Sequence, residues 1–151
     1  MRASAEIVIE RPVEAVWEWA ADPRNWHRWQ EGVGEVRFPG GPRAGVRFAA
    51  ALEHGGEAEE RSYEIVERTP PRRQVVRSVD ESAAGFYEGT LELSEDVRGT
   101  RVRQTMDSHP EDALERFLFA VAAPLVRLSA RRRIAAQLAR LKEMTELGAA
   151  L

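Results

Sequence analysis

IVIERPVEAVWEWAADPRNWHRW, Ile7 to Trp29, is the stretch whose reading decides the architecture. It opens as a strand: from Glu6 to Glu10, Ile7 and Ile9 fall on one face and Glu6, Val8 and Glu10 on the other. Pro12 then suits the first position of a helix, where its missing N–H costs nothing. Val13, Val16, Trp17 and Ala20 follow at i, i+3, i+4 and i+7, an apolar stripe of helical period. Asp22-Pro23 ends that helix and supplies an N-cap and a first-turn proline for a second, short one. Trp26 and Trp29 sit three apart on it and share a face. All four tryptophans of the chain lie in this one stretch. Trp17 is on the buried stripe and reads as core, while Trp19 is off it and reads as a partly exposed edge residue. Trp26 and Trp29 close one end of the downstream sheet, either as a plug or as a pocket wall, and the sequence leaves both readings standing.

Downstream the period changes from helical to strand-like. Val33 to Phe38 reads as a strand, and FPGGPRAG, Phe38 to Gly45, as a turn. Val46, Phe48, Ala50, Leu52 and His54 then alternate with Arg47, Ala49, Ala51 and Glu53. Glu60 to Glu67, Gln74 to Val79, Phe86 to Leu93 and Thr100 to Asp107 complete the set, with EDVRG as a hairpin between the last two. Short connections make about seven antiparallel strands the expectation. The tail returns to helical period: Leu114, Phe117, Leu118, Val121, Leu125 and Leu128, then Ile134, Leu138, Leu141 and Thr145, predict one long amphipathic helix over roughly 111–147. Pro124 should bend or locally break it, and Arg131-Arg132-Arg133 shifts its stripe. The order is strand, two helices, six strands, long helix, with no repeat and no linker, so residues 1–151 read as a single α+β domain.

Composition excludes several classes of function. The chain has 151 residues, 43% hydrophobic and 31% charged, with a net charge of −3 and no cysteine. Interspersed charge of this sign argues against nucleic acid as a partner, and the lack of cysteine rules out disulfides and thiolate chemistry. MRASAEIVIERP lacks a basic-then-apolar leader pattern. FLFAVAAPLV, Phe117 to Val126, is too short to span a bilayer, so a cytoplasmic protein is expected. Lys142 is the only lysine among 22 basic residues, which reads as compositional bias. His27, His54 and His109 have no second histidine or carboxylate at metal-ligand spacing, so no metal and no cofactor are expected.

A twisted antiparallel sheet curled around a helix leaves a cavity wherever the two do not touch, so a ligand pocket is expected from the element order alone. Four segments carry a resemblance to a known family: IVIERPVEAVWEWAADPRNWHRW; YEIVERTPPRRQVV at Tyr63 to Val76; LELSEDVRGTRVRQT at Leu91 to Thr105; and a closing helix ending in RRRIAAQLARLKEM. In that order they resemble the START-like superfamily with the helix-grip fold, also called Bet v 1-like or SRPBCC, and most closely its bacterial polyketide cyclase/dehydrase and lipid-transport group. The resemblance covers nearly the whole chain. It implies a cavity for a hydrophobic or aromatic small molecule and does not imply a reaction.

The residues expected to line that cavity are Trp26, Trp29, Phe48, Tyr63, Tyr87, Gln104, Met106, Phe117, Val121 and Leu125. Tyr63, Tyr87 and Gln104 are polar groups on mostly apolar strand faces, and buried polar groups need partners; a ligand or a neighbouring side chain would serve. Arg61 shares Tyr63's face and reads equally as an anion-holding pocket arginine or as a solvated edge residue. His54, Tyr87 and His109 are the candidates for acid–base work at a pocket rim. Three functions follow as expectations: a hydrophobic-ligand carrier, a cyclase/dehydrase-type enzyme using the same cavity, and a partner-binding module whose arginines at 131–133 meet an acidic partner or a membrane surface. A homodimer through strand edges or Trp19 stays open.

Overall fold

The computed structural model describes residues 1–54, 56–79, 86–109 and 113–148. Seven strands form one antiparallel sheet: β1 (Arg2–Ile9), β2 (Val33–Arg37), β3 (Arg47–His54), β4 (Glu57–Thr69), β5 (Arg73–Ser78), β6 (Phe86–Asp96) and β7 (Gly99–His109). Their spatial order is β1-β7-β6-β5-β4-β3-β2, so every neighbour except β1 with β7 is a sequence neighbour. β1 begins earlier than its alternation suggests, because Ala3 and Ala5 give no strong hydrophobic signal although Ala3 is buried. Pairing of β1 with β7 runs in register from Arg2 opposite Asp107 to Ile9 opposite Thr100.

Between β1 and β2 come α1 (Val13–Ala20), a 3₁₀ turn (Pro23–Asn25) and the short α2 (Trp26–Trp29). Asp22 caps the 3₁₀ turn as its composition requires: its Oδ1 accepts from the Arg24 backbone N–H at 3.0 Å, with Pro23 in the first turn. The end of α1 is fastened to the sheet through the Ala21 carbonyl, which accepts from Arg68 Nη1 and from Gln74 Nε2, both at 3.0 Å. Arg68 also donates to Gln74 Oε1 and lies 5.1 Å above the Trp17 ring. A cation at a helix C-terminus is where the helix dipole favours one. This clamp ties the C-terminal end of α1 to β4 and β5.

α3 (Ala113–Gly148) runs unbroken through Pro124, so the interruption expected there is not a break. Among the described side chains of α3 the buried ones lie in its second half: Ile134, Gln137, Leu138, Leu141 and Thr145 face the body, which packs α3 against β1, α1 and α2. The same half is pinned to the end of β1. Lys142 Nζ donates to the Val8 carbonyl at 2.8 Å and pairs with Glu146, whose Oε1 accepts from the Glu10 N–H at 3.0 Å. The chain's single lysine is thus a structural anchor.

The core is divided in two. One cluster joins α1, Trp29, β1, the far ends of β6 and β7, and Ile134, Leu138 and Leu141 of α3. The other gathers Phe48, Ala50, Tyr63, Ile65 and Val76 from β3, β4 and β5. Trp26 packs against both. The space between the clusters is where the sheet curls past the reach of the helix.

Candidate functional site

That space holds two adjoining hollows with Trp26, Gln30 and Tyr87 as common walls. The outer one, about 220 Å³, opens between Leu52, Arg61, Tyr63 and Met106 on the sheet and Arg133 and Gln137 on α3. The inner one, about 20 Å³, lies behind Trp29, Gln74, Gly89 and Gln104, and is large enough for a single water-sized group.

An aromatic chain forms the wall. Phe38 stacks on Phe48 at 4.6 Å between centroids, Phe48 on Tyr63 at 5.7 Å, and Tyr63 meets Tyr87 edge-on at 6.0 Å. Trp26 stands edge-on to Phe48 at 5.5 Å and to Tyr63 at 6.3 Å. Offset and edge-to-face geometries of this kind stabilise the wall beyond simple burial. Arg61 is buried, with its guanidinium 6.0 Å from the centre of the Tyr63 ring. Arg61 thus lines the outer hollow rather than standing in solvent.

Tyr87 lies at the junction of the two hollows. Its backbone is held by Ser78, whose Oγ accepts from the Tyr87 N–H at 3.0 Å. Its ring folds across Gly89, where a Cβ would come within 2.7 Å of the phenol oxygen and 3.5 Å of Gln104 Nε2. Glycine there is what lets the phenol reach the cavity floor beside Gln104. Burial pushes the Tyr87 phenol well above its ordinary value of 10.0, with Tyr63 adding to the shift and Arg61 opposing it. The group is therefore a neutral O–H donor across the physiological range.

The chain has four glutamines, Gln30, Gln74, Gln104 and Gln137. All four are buried, at 9%, 3%, 6% and 5% exposure, and all four line the hollows. Gln74 is committed to the Arg68–Ala21 clamp. Gln137 Oε1 and Trp29 Nε1 are buried and find no hydrogen-bond partner among the described residues. An acceptor and a donor left so carry a desolvation cost that an incoming polar group would remove.

Of the residues expected at the site, Trp26, Trp29, Tyr63, Tyr87, Gln104 and Met106 converge on the hollows, and Phe48 backs the wall. Phe117, Val121 and Leu125 are not brought to them. They are 63%, 69% and 74% exposed on the first half of α3, and Leu125 borders a separate surface groove with Met1 and Ser108. The cause is helical phase. At about 100° per residue, the centre of Phe117, Val121 and Leu125 lies about 130° around the helix from that of Ile134, Leu138 and Leu141, so one continuous helix does not press both sets squarely on the same sheet. Gln30, Gln74 and Gln137 had a faint signal in the sequence, each being an amide inside or beside an apolar run. His27 is exposed, and the side chains of His54 and His109 lie outside the described residues. Among the described residues no group of three or more His, Cys, Asp or Glu is placed to hold a metal.

Comparison with known proteins agrees with this architecture. The family described as polyketide cyclase / dehydrase and lipid transport matches residues 1–146. No curated protein sequence matches the chain. Among solved structures, TTHA0849 from Thermus thermophilus is similar at 21% identity, with a TM-score of 0.76 over 98% of this chain and 99% of that one. NE0264 from Nitrosomonas europaea is similar at 15% identity, with a TM-score of 0.72 over 100% and 97%. The di-domain ARO/CYC StfQ from the steffimycin biosynthetic pathway reaches a TM-score of 0.79 at 11% identity, 99% of this chain spanning 52% of that one. These likenesses extend the shared fold to proteins of low identity. With a family match over nearly its whole length and a seven-stranded sheet closed by one long helix, the chain belongs to the polyketide cyclase/dehydrase and lipid-transport family of helix-grip proteins.

Proposed function

We propose that the protein binds one hydrophobic, ring-containing small molecule in the hollow between α2, the concave sheet face and the middle of α3. The observation that carries this reading is an aromatic wall shared by two adjoining hollows, each lined by a residue with a buried polar atom that has no hydrogen-bond partner among the described residues: Gln137 Oε1 at the outer one and Trp29 Nε1 at the inner one. The volume of about 220 Å³ is below the roughly 300–1,000 Å³ of sites that enclose drug-sized ligands. It suits a compact ring system, or one end of a longer polyketide or lipid. Trp26 and Tyr63 would take its flat face. Gln104, Gln137 and the Tyr87 phenol would take its polar edge.

Native mass spectrometry of protein purified from its own cells, followed by denaturation, tests the reading by releasing whatever is bound. A hydrophobic ring compound at one per chain is expected. Gln104→Leu should change which ligands raise the melting temperature while leaving the unliganded fold stable. An unchanged ligand preference in that variant, or no ligand bound from cells and none found by thermal shift, sinks the assignment.

A second reading rests on Tyr87. A neutral phenol at the junction of the hollows would donate a hydrogen bond to a carbonyl oxygen of a bound poly-ketone, keeping its own proton and polarising that carbonyl as a ring closes. Cyclisation needs the chain folded more than it needs a strong nucleophile, and the aromatic wall would impose the fold. Tyr87→Phe is then expected to lose turnover by about 100-fold while keeping binding. Equal loss of both would return Tyr87 to a purely binding role.

A further inference from the structure

The first half of α3 presents an apolar stripe away from the body. Phe117, Leu118, Val121, Leu125 and Leu128 lie within about 100° of helix circumference, and each is between 46% and 74% exposed. Smaller side chains face inward instead: Ala122, Ala123, Val126 and Ala130 are half-buried. Single exposed apolar residues are ordinary, but five on one helical face make a contiguous patch of the kind that marks an interaction surface.

Charge selects the occupant. Between positions 113 and 133 the sequence has five arginines and one glutamate, in a chain whose net charge is −3. Arg127, Arg131, Arg132 and Arg133 are exposed. Arg132 continues the stripe, with Arg131 and Arg133 about 100° to either side of it. An apolar face edged by arginine is the pattern of a helix lying in a lipid–water interface, and each basic residue there strengthens binding to anionic lipid by about fivefold. The stripe rises about 17 Å, short of the ~30 Å hydrocarbon core, and among the described residues no helix is long and apolar enough to cross a membrane. A second copy of the chain would set one net-positive segment against another. An anionic bilayer accepts the stripe and its charge together.

We propose that the first half of α3 is a docking face for an anionic lipid surface, on which the helix lies with Phe117, Val121 and Leu125 buried among the acyl chains. The proposal does not depend on what the hollow binds.

The test is flotation of the full chain with two kinds of vesicle, phosphatidylcholine alone and phosphatidylcholine mixed with phosphatidylglycerol, with sedimentation velocity in the absence of lipid. Binding is expected on the anionic vesicles and not on the neutral ones. Leu125→Glu should weaken it by about tenfold or more, and Arg131→Gln and Arg132→Gln by about fivefold each. These positions are exposed, so circular dichroism and thermal unfolding should match the parent. Gln104→Leu, which alters the hollow, should leave vesicle binding unchanged, so failure of the ligand reading and failure of this one are separable. Absence of binding to anionic vesicles, or equal binding to both kinds, overturns the proposal. So does a dimer that Leu125→Glu dissolves, because the stripe's partner would then be a second copy.

Discussion

Tyr87 shows how one side chain's environment becomes a measurable property of the fold. Gly89 gives it room to fold over the strand, and burial then holds its phenol neutral, well above the ordinary value of 10.0. Because the folded state keeps the proton more tightly than the unfolded chain, the folded state binds more protons above pH about 10, and stability falls as pH rises from there. Below that pH both states are protonated and the group contributes no slope. Urea unfolding of the parent and of Tyr87→Phe, measured from about pH 8 to about pH 11, should therefore show a steeper loss in the parent, the two curves running parallel below pH about 10. Parallel curves throughout would mean that the phenol is solvated. At this scale the sequence was partly legible. Alternation put Tyr63, Tyr87 and Gln104 on inward faces, because a strand's period of two admits only two choices. It did not reveal that all four glutamines meet around one hollow, because residues so distant in sequence come together only through β-strand order and the α1 clamp. Nor could it show that Lys142 ties α3 to β1, a role set by a carbonyl acceptor, Val8 O, that leaves no trace in side-chain pattern.

α3 is one helix with two unlike halves. Leu138 is fully buried beneath α1 and β1, while Val121 stands in solvent. Leu138→Ala should therefore cost about 3 kcal/mol of unfolding free energy, through lost burial and the cavity left behind. Val121→Ala should stay within about 0.5 kcal/mol of the parent, since nothing packs there to be lost. Urea denaturation of both variants reads the difference directly. A large cost at Val121 would show that the first half packs against the body in solution, and the docking face proposed for it would be withdrawn. Strands such as β4 and β7 were legible from the chain because buried and more exposed residues alternate along them. The helix was legible in length and in its apolar positions. The partner of each position was not, because an apolar stripe at helical spacing looks the same whether it meets a sheet or faces solvent. The change of phase across Arg131 to Arg133 carried that information. It required adding helical angles over 20 or more residues, where a small departure from 3.6 residues per turn would alter the answer.

The whole molecule separates its charges from its core. The outer face of the sheet is a lattice of arginine–carboxylate pairs between neighbouring strands: Arg77 with Glu88 at 2.8 Å, Arg73 with Glu67 and Glu92 at 3.1 Å each, Arg47 with Glu64 at 3.2 Å, and Arg101 bridging Asp96 and Glu6 at 3.0 and 3.4 Å. The concave face has the aromatic wall and both hydrophobic clusters. Exposed pairs contribute about 0–1 kcal/mol each and are screened by salt, whereas apolar burial is not. Cross-strand pairs of this kind fix register, because a one-residue slip would part each arginine from its carboxylate and turn the slipped strand's aromatics outward. Stability should therefore resist salt even in a protein with 31% charged residues. Raising sodium chloride from about 0.1 M to about 1 M shortens the screening length from about 10 Å to about 3 Å, and should move the calorimetric melting temperature by no more than about 3 °C. A fall several times larger would assign a major share of the fold's stability to the outer lattice rather than to the two clusters. It would also mean that the aromatic wall is held in place by its charged reverse side, so that ligand affinity would weaken with salt even for an uncharged ligand.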